Sequence, residues 1–232
     1  MEEARTLVSK ANSLVVSGAC SEALRLYDSA VTRYRSYLQA RREEQVELQF
    51  AGLLITRAAA RAQCAQKAEA AADFAEGIRL CEVDSRGTTN GLWSDRLRKT
   101  LLNRAAMVID APGGKEAHQD LDRVVRNAQE YEKLEGESTA LQDDIARAYS
   151  AEATLSLKAH DPRGALQEFS KAIGVFESMK EFRAPEISMS FARCLHNRAI
   201  AYAEKGDLTA ALKDVNRFIE ITSEIMDLGV VG

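Results

Sequence analysis

The sequence predicts an all-α fold, an array of about five antiparallel helix pairs, from three observations. Ala23, Ala70, Ala117, Ala165 and Ala211 recur at separations of 47, 47, 48 and 46 residues. Twelve positions before each stands another small residue, Ala11, Ala58, Ala105, Ala153 or Ala199, and four positions after each a bulkier one, Tyr27, Phe74, Leu121, Phe169 or Val215. Only three prolines and thirteen glycines punctuate 232 residues, so helix is favoured throughout. Small and large residues held at a fixed period mean stacked copies of one supersecondary unit, each burying its apolar face against the next.

The last copy shows the two helices of a unit most plainly. Ile187, Phe191, Leu195, Ala199 and Tyr202 recur at three- or four-residue steps and form one apolar stripe. That helix stops at Lys205-Gly206-Asp207, where glycine accepts the left-handed conformation of a helix end and Asp207 can cap the next helix. Leu208, Ala211, Leu212, Val215, Phe218 and Ile219 then carry the second helix. Two amphipathic helices joined by so short a turn lie antiparallel.

The other copies parse in the same register. Gly18 makes the first turn, Asp110-Ala-Pro-Gly-Gly114 the third and His160-Asp161-Pro162 the fourth. Gln66-Lys67 occupies the second turn without a glycine or proline. Ser85 to Gly91 and Ala184-Pro185 mark loops between copies, whereas Arg35 to Glu47 holds no breaker and admits one long continuous helix. The units run approximately 1–41, 42–88, 89–135, 136–183 and 184–232, read as a single repeat domain.

Composition narrows the partners. Thirty-one Lys and Arg against 35 Asp and Glu leave a net charge of −4, without the basic bias of a nucleic-acid binder. The longest apolar runs, such as Ala51 to Ile55, fall far short of a membrane span. The start, MEEARTLVSK, has no apolar core of a signal peptide, so a soluble, cytoplasmic protein is expected. Cys20, Cys64, Cys81 and Cys194 are scattered and form no C-x-x-C pair. They are expected to be small packed hydrophobes rather than a disulfide framework or a zinc site.

These residues resemble the tetratricopeptide repeat (TPR) family. The first copy reads Leu7, Ala11, Leu14, Gly18, Ala23, Tyr27, Ala30 and the fifth Leu195, Ala199, Tyr202, Gly206, Ala211, Val215, Phe218. The triplets Asn103-Arg104-Ala105 and Asn197-Arg198-Ala199 look like a common variant of the family's first helix. The resemblance implies a right-handed α-solenoid whose first helices line a concave groove. It departs in period, about 47 residues here against 34 in the family. With no long Gly, Ser or Pro inserts, the extra residues are expected to lengthen both helices by roughly two turns each.

Carried onto this chain, the family register directs particular residues inward. Six positions before the upstream alanines stand Arg5, Gly52, Lys99, Arg147 and Arg193, a mostly basic row. Two positions before them come Ser9, Thr56, Asn103, Ala151 and Asn197, and one after them Asn12, Ala59, Ala106, Thr154 and Ile200. His196 adjoins Asn197. Arg and Lys can hold acidic side chains, and Asn, Ser and Thr can satisfy a peptide backbone. A protein partner offering an acidic peptide or helical segment is therefore implied. The alternative is a solvated face whose cations pair with nearby Asp and Glu.

One TPR specialisation, the carboxylate clamp that co-chaperones use on acidic chaperone tails, matches only at Asn12 and Lys99; Val8, Thr56 and Asn103 stand where its other residues belong. Catalysis finds no constellation. His118, His160 and His196 lie in different copies with no recurring nucleophile, Asp143-Asp144 and Glu43-Glu44 are sequential acids facing different ways, and Pro112-Gly113-Gly114-Lys115 lacks P-loop spacing. No cofactor and no metal is expected. Trp93 opens a first helix, where packing is its expected role. The final helix, with Phe218, Ile221 and Ile225, runs into Gly229-Val-Val-Gly232 without a polar capping helix, which offers a second reading as a scaffold that self-associates or docks through its ends.

Overall fold

Ten helices succeed one another in a computed structural model of the chain, which describes residues 1–85, 91–109, 114–179 and 184–227. They are α1 (Glu2–Val16), α2 (Cys20–Ala40), α3 (Glu44–Gln63), α4 (Lys67–Ser85), α5 (Gly91–Val108), α6 (Lys115–Glu135), α7 (Thr139–Lys158), α8 (Pro162–Ser178), α9 (Pro185–Glu204) and α10 (Leu208–Asp227). No strand occurs among the described residues, and no helix there is long and apolar enough to cross a membrane. Most helices reach 17 to 21 residues, so the surplus over the usual repeat is spent on helix, as the lack of inserts predicts. The chain divides into two compact units, Met1–Met107 and Val108–Gly232.

Within the first unit α1 packs on α2, α2 on α3 and α3 on α4; within the second, each helix from α7 to α10 packs on the one before it. The ten repeat alanines are all buried. No side chain beyond Cβ projects between the paired helices there, so their backbones approach closely. Tyr27, Phe74, Leu121 and Phe169 are fully buried beside them, while Val215 is only half-buried. Successive pairs meet through aromatic contacts at equivalent positions. The Tyr34 ring stacks on Phe50 at 6.0 Å between α2 and α3, and Phe176 meets Phe191 at 5.5 Å between α8 and α9. Trp93 is wholly buried, and its indole N–H donates to Glu44 at 3.0 Å, tying α5 to α3.

Four turns within pairs share one geometry. The residue seven after each upstream alanine is left-handed: Gly18, Ala65, His160 and Gly206, with φ of 81, 62, 57 and 83°. The next N–H donates five residues back, from Ala19 to Leu14, Gln66 to Arg61, Asp161 to Ser156 and Asp207 to Tyr202, which is the Schellman closure. Two of these turns form without glycine because the flanking helices dictate the conformation. The second turn therefore centres on Ala65, one residue before the Gln66-Lys67 position expected from sequence, and Lys67 already begins α4. Asp161 and Asp207 then accept from the N–H groups of Gly164 and Ala210 and cap α8 and α10. Residues 110–113 of the third turn, 86–90 of the loop after α4 and 229–232 lie outside the described residues.

Two expectations are corrected. The continuous helix admitted from Arg35 to Glu47 is broken, since α2 ends at Ala40 and both Arg41 and Glu43 adopt extended backbone before α3 begins. The cysteines are not all free: Cys20 and Cys64 form a disulfide between the first and second turns. Their separation of 44 residues is close to one repeat, and stacking brings residues one repeat apart face to face. Cys81 and Cys194 are buried and outside this disulfide, and burial pushes the Cys194 thiol up to about 12.

The left-handed alanine should be relieved by glycine, so Ala65→Gly is expected to raise stability by about 1 kcal/mol, measured as the denaturant midpoint. Replacing Cys20 and Cys64 together by Ser should lower it by up to roughly 4 kcal/mol, the chain entropy released by opening a loop of this length.

Candidate functional site

A cleft of about 280 Å³ opens across the first helices of the Met1–Met107 unit. Arg5 and Val8 enter it from α1, Gln49, Gly52 and Thr56 from α3, and Arg96 from α5. Tyr34 of α2 reaches in from behind, its hydroxyl donating to Gln49 at 3.2 Å. Burial raises the pKa of that hydroxyl, with the Arg5 charge pulling the other way, so it remains a neutral donor at ordinary pH. Gly52 permits the arrangement: a Cβ there would lie 3.0 Å from an Arg96 guanidinium nitrogen. Among the described residues no carboxylate stands within ion-pairing distance of Arg5 or Arg96, and the buried Nε of Arg96 has no hydrogen-bond partner. Two guanidinium groups, a side-chain amide and hydroxyls thus converge on one concave surface without an internal anion.

The remaining residues expected on the inner face are engaged elsewhere or lie apart. Ser9 is exposed on α1, outside the cleft lining, and its carbonyl accepts from the Ser13 hydroxyl. Asn12 accepts from the Tyr27 hydroxyl of α2, and Lys99 pairs with Asp95 at 2.8 Å, so both residues that match the chaperone-tail clamp have internal partners. Asn103 is half-buried on α5 and does not line the cleft. In the second unit Arg147 faces Asp143 at 3.8 Å, the Thr154 hydroxyl donates to Ser150, and Arg193 lies 3.5 Å from Ser190. The His196 ring meets Phe218 of α10 at 5.4 Å in a tilted contact, turned toward its own pair's second helix, beside the half-buried Asn197.

Two residues of the cleft escaped the sequence reading for one reason. Gln49 and Arg96 both stand nine positions before their repeat alanine, a full turn beyond the register that shorter repeats supply. The longer helices extend the inner face by that turn. The signal that could have found them is the same +47 offset that relates the alanines.

A second device holds two of the pairs together. Arg57 clasps Asp73 through two hydrogen bonds of 2.9 and 2.6 Å, and Arg198 clasps Asp214 through two of 2.6 and 2.8 Å. Both pairs are 16 residues apart, as are Arg104 and Asp120 in the sequence. Bidentate geometry and further bonds from Arg57 and Arg61 to Asp28 offset much of the desolvation cost.

The first pair has Lys10 and Leu26 at these positions, and the fourth places Glu152 and Glu168 where the clasp would be. His118 of α6 bonds Glu152, and Lys171 bonds Glu168 at 2.7 Å, beside a cleft of about 500 Å³ between α6 and α8. Burial pushes the Glu152 carboxyl up against the opposing pull of His118. Among the described residues no group of three or more His, Cys, Asp or Glu is placed to hold a metal ion.

No family model matches the sequence, and no curated protein matches it. The fold does have counterparts among solved structures. BtubC (BKLC) from P. vanneervenii is similar with a TM-score of 0.71 at 17% identity, over 97% of this chain and 87% of that one. A variant of the nearly identical TPR-like repeats of a Podosopora anserina protein designated a kinesin light chain gives 0.64 at 18% identity, over 96% of each chain. The unsubstituted repeats give 0.57 at 19%, over 97% and 98%. The fold is therefore a TPR-like α-solenoid.

Removing one member of a buried clasp strands the other. Asp73→Asn is expected to cost about 3 kcal/mol or more in chemical denaturation, because Arg57 would be left buried without its principal anion.

Proposed function

We propose that this chain is a non-enzymatic protein-interaction module that binds an extended, acidic peptide or helical segment of a partner along the first helices of the Met1–Met107 unit. The observation that carries this reading is the pair of guanidinium groups, Arg5 and Arg96, lying in one cleft without a carboxylate of their own. A partner's carboxylate would supply the missing charge through charge-assisted hydrogen bonds, while Gln49, Thr56 and Tyr34 present an amide and hydroxyls to its backbone. Adaptor function follows from that binding. The chaperone-tail alternative loses support because Asn12 and Lys99 are already engaged.

Arrays of extended Glu- and Asp-containing peptides test the proposal. Arg96→Gln or Arg5→Gln should each weaken binding roughly tenfold while leaving helix content unchanged. Gly52→Ala should separate stability from binding: alanine favours the helix by about 1 kcal/mol, yet its methyl would displace the Arg96 guanidinium and reduce affinity. Undiminished binding by Arg5→Gln/Arg96→Gln would overturn the site. The same peptides screened against Arg147→Glu and Arg193→Glu establish whether it extends to α7 and α9.

The reading places the protein in the cytoplasm, where reducing conditions hold cysteine pairs as thiols. Rapid alkylation of cells followed by intact mass should then find Cys20 and Cys64 both modified. Unmodified, disulfide-bonded protein would assign it to an oxidising compartment.

A further inference from the structure

The cleft in the Met1–Met107 unit offers hydrogen-bond donors in excess of what its own residues accept. The Tyr34 hydroxyl donates to Gln49 Oε1 at 3.2 Å, which occupies the amide oxygen and leaves the amide N–H groups of Gln49 without an internal acceptor among the described residues. Arg5 enters from α1 close enough for its charge to act on that same hydroxyl. From α5 the Arg96 guanidinium lies on Gly52: a Cβ there would stand 3.0 Å from one terminal nitrogen, 3.2 Å from Cζ and 3.5 Å from the other nitrogen. Such near-equal distances put the flat face of the group against α3 and leave its N–H edge to a partner. Thr56 differs, since its hydroxyl has given its hydrogen to the Gly52 carbonyl at 3.0 Å and keeps only acceptor capacity. Val8 and Leu53 supply the apolar part of the lining.

We propose that the cleft takes a phosphorylated side chain of the partner peptide, its phosphoryl oxygens held between Arg5 and Arg96. This rests on the reading of the cleft as the partner-binding site and names the acid that it selects. Charge counting favours phosphate over carboxylate. A carboxylate carries one negative charge and closes a bidentate contact with one guanidinium, which leaves the second cation uncompensated. A phosphomonoester carries about −1.5 to −2 at neutral pH and three strong acceptor oxygens, enough to engage Arg5, Arg96 and the Gln49 amide at once. The placement of the donors agrees. They come from three different helices, α1, α5 and α3, and a tetrahedral group projects its oxygens in three directions where a planar carboxylate projects two. Thr56 serves the same occupant, since an acceptor beside the donors suits the N–H of an attached peptide, which a free phosphate ion lacks. The described residues that line the cleft include no histidine, aspartate or glutamate. No like charge there repels a dianion, and a change of affinity between about pH 5 and 7.5 must originate in the ligand.

Peptide arrays of randomised flanks, alike except for a central Ser, phosphoserine or Glu, test this on the full chain, followed by fluorescence anisotropy of the best sequence in its three forms. The phosphoserine form is expected to bind at least about tenfold more tightly than the Glu form, the worth of one further charge-assisted hydrogen bond, and the Ser form more weakly than both. Arg5→Gln and Arg96→Gln should each reduce the phosphoserine form to the level of the Glu form. Lowering the pH from about 7.5 to 5 should weaken the phosphoserine form by roughly three- to tenfold, because the phosphate takes up its second proton near pH 6, while the Glu form stays ionised and changes little. Equal affinity for phosphoserine and Glu, both lost in the arginine variants, would overturn the phosphoryl assignment and leave the acidic-peptide reading standing. Binding of neither form would overturn both. Tight phosphoserine binding indifferent to Arg5→Gln and Arg96→Gln would place the phosphate elsewhere and overturn the proposal. Inorganic phosphate that displaces the peptide at a Kd equal to the peptide's own would make a small phosphorylated molecule the ligand and overturn the assignment to a partner. Circular dichroism verifies folding of each variant. Arg5 is exposed on α1, so Arg5→Gln still decides if Arg96→Gln fails to fold.

Discussion

Everything in this protein rests on the close approach of two helices at a pair of alanines, in α1 and α2, α3 and α4, α7 and α8, and α9 and α10. The ten alanines are buried, and a larger side chain at any of them would push the paired backbones apart. Several other features depend on that distance. Arg57 reaches Asp73 and Arg198 reaches Asp214 with two short bonds each only because their helices lie so close. The turns inherit the constraint, since helices held at one separation leave room for only one tight closure. Ala65 and His160 adopt a backbone conformation that glycine would take more readily, because the packing on both sides leaves no other path.

The periodic part of this architecture was legible in the sequence because it depends on residue size at fixed intervals. The alanine spacing located both helices of every pair, Gly18 and Gly206 marked two turns, and Asp207 announced the cap on α10. Features that arise between repeats were harder to read. Nothing local to Cys20 or Cys64 signals a disulfide; they meet because residues about one period apart are stacked against each other. The break after Ala40 carries no glycine or proline and follows from the need for α3 to turn back against α2.

The candidate site was legible in part, for a geometrical reason. Arg5 and Thr56 line the cleft from positions that the family register points inward. Arg96 and Gln49 occupy the extra turn that longer helices add, where a shorter repeat has no residue to compare. Tyr34 belongs to a second helix, which the register assigns to the outside, yet it reaches the cleft between neighbouring first helices. Lys99 and Arg147 pair with acids one turn away on their own helices, a contact that charge alone does not announce.

The disulfide bears on how such a chain loosens. A stack of helix pairs in which each contacts only its neighbours opens most easily from an end, because an end pair has a single interface to lose. The Cys20–Cys64 bond fastens the first pair to the second at their turns, so while it is intact α1 and α2 cannot peel away as an independent element. Amide protons of α1 and α2 should then exchange with solvent at rates tied to the opening of α3 and α4. The redox state of one bond would thereby decide whether the helix that carries Arg5 behaves as a separable flap or as a fixed wall.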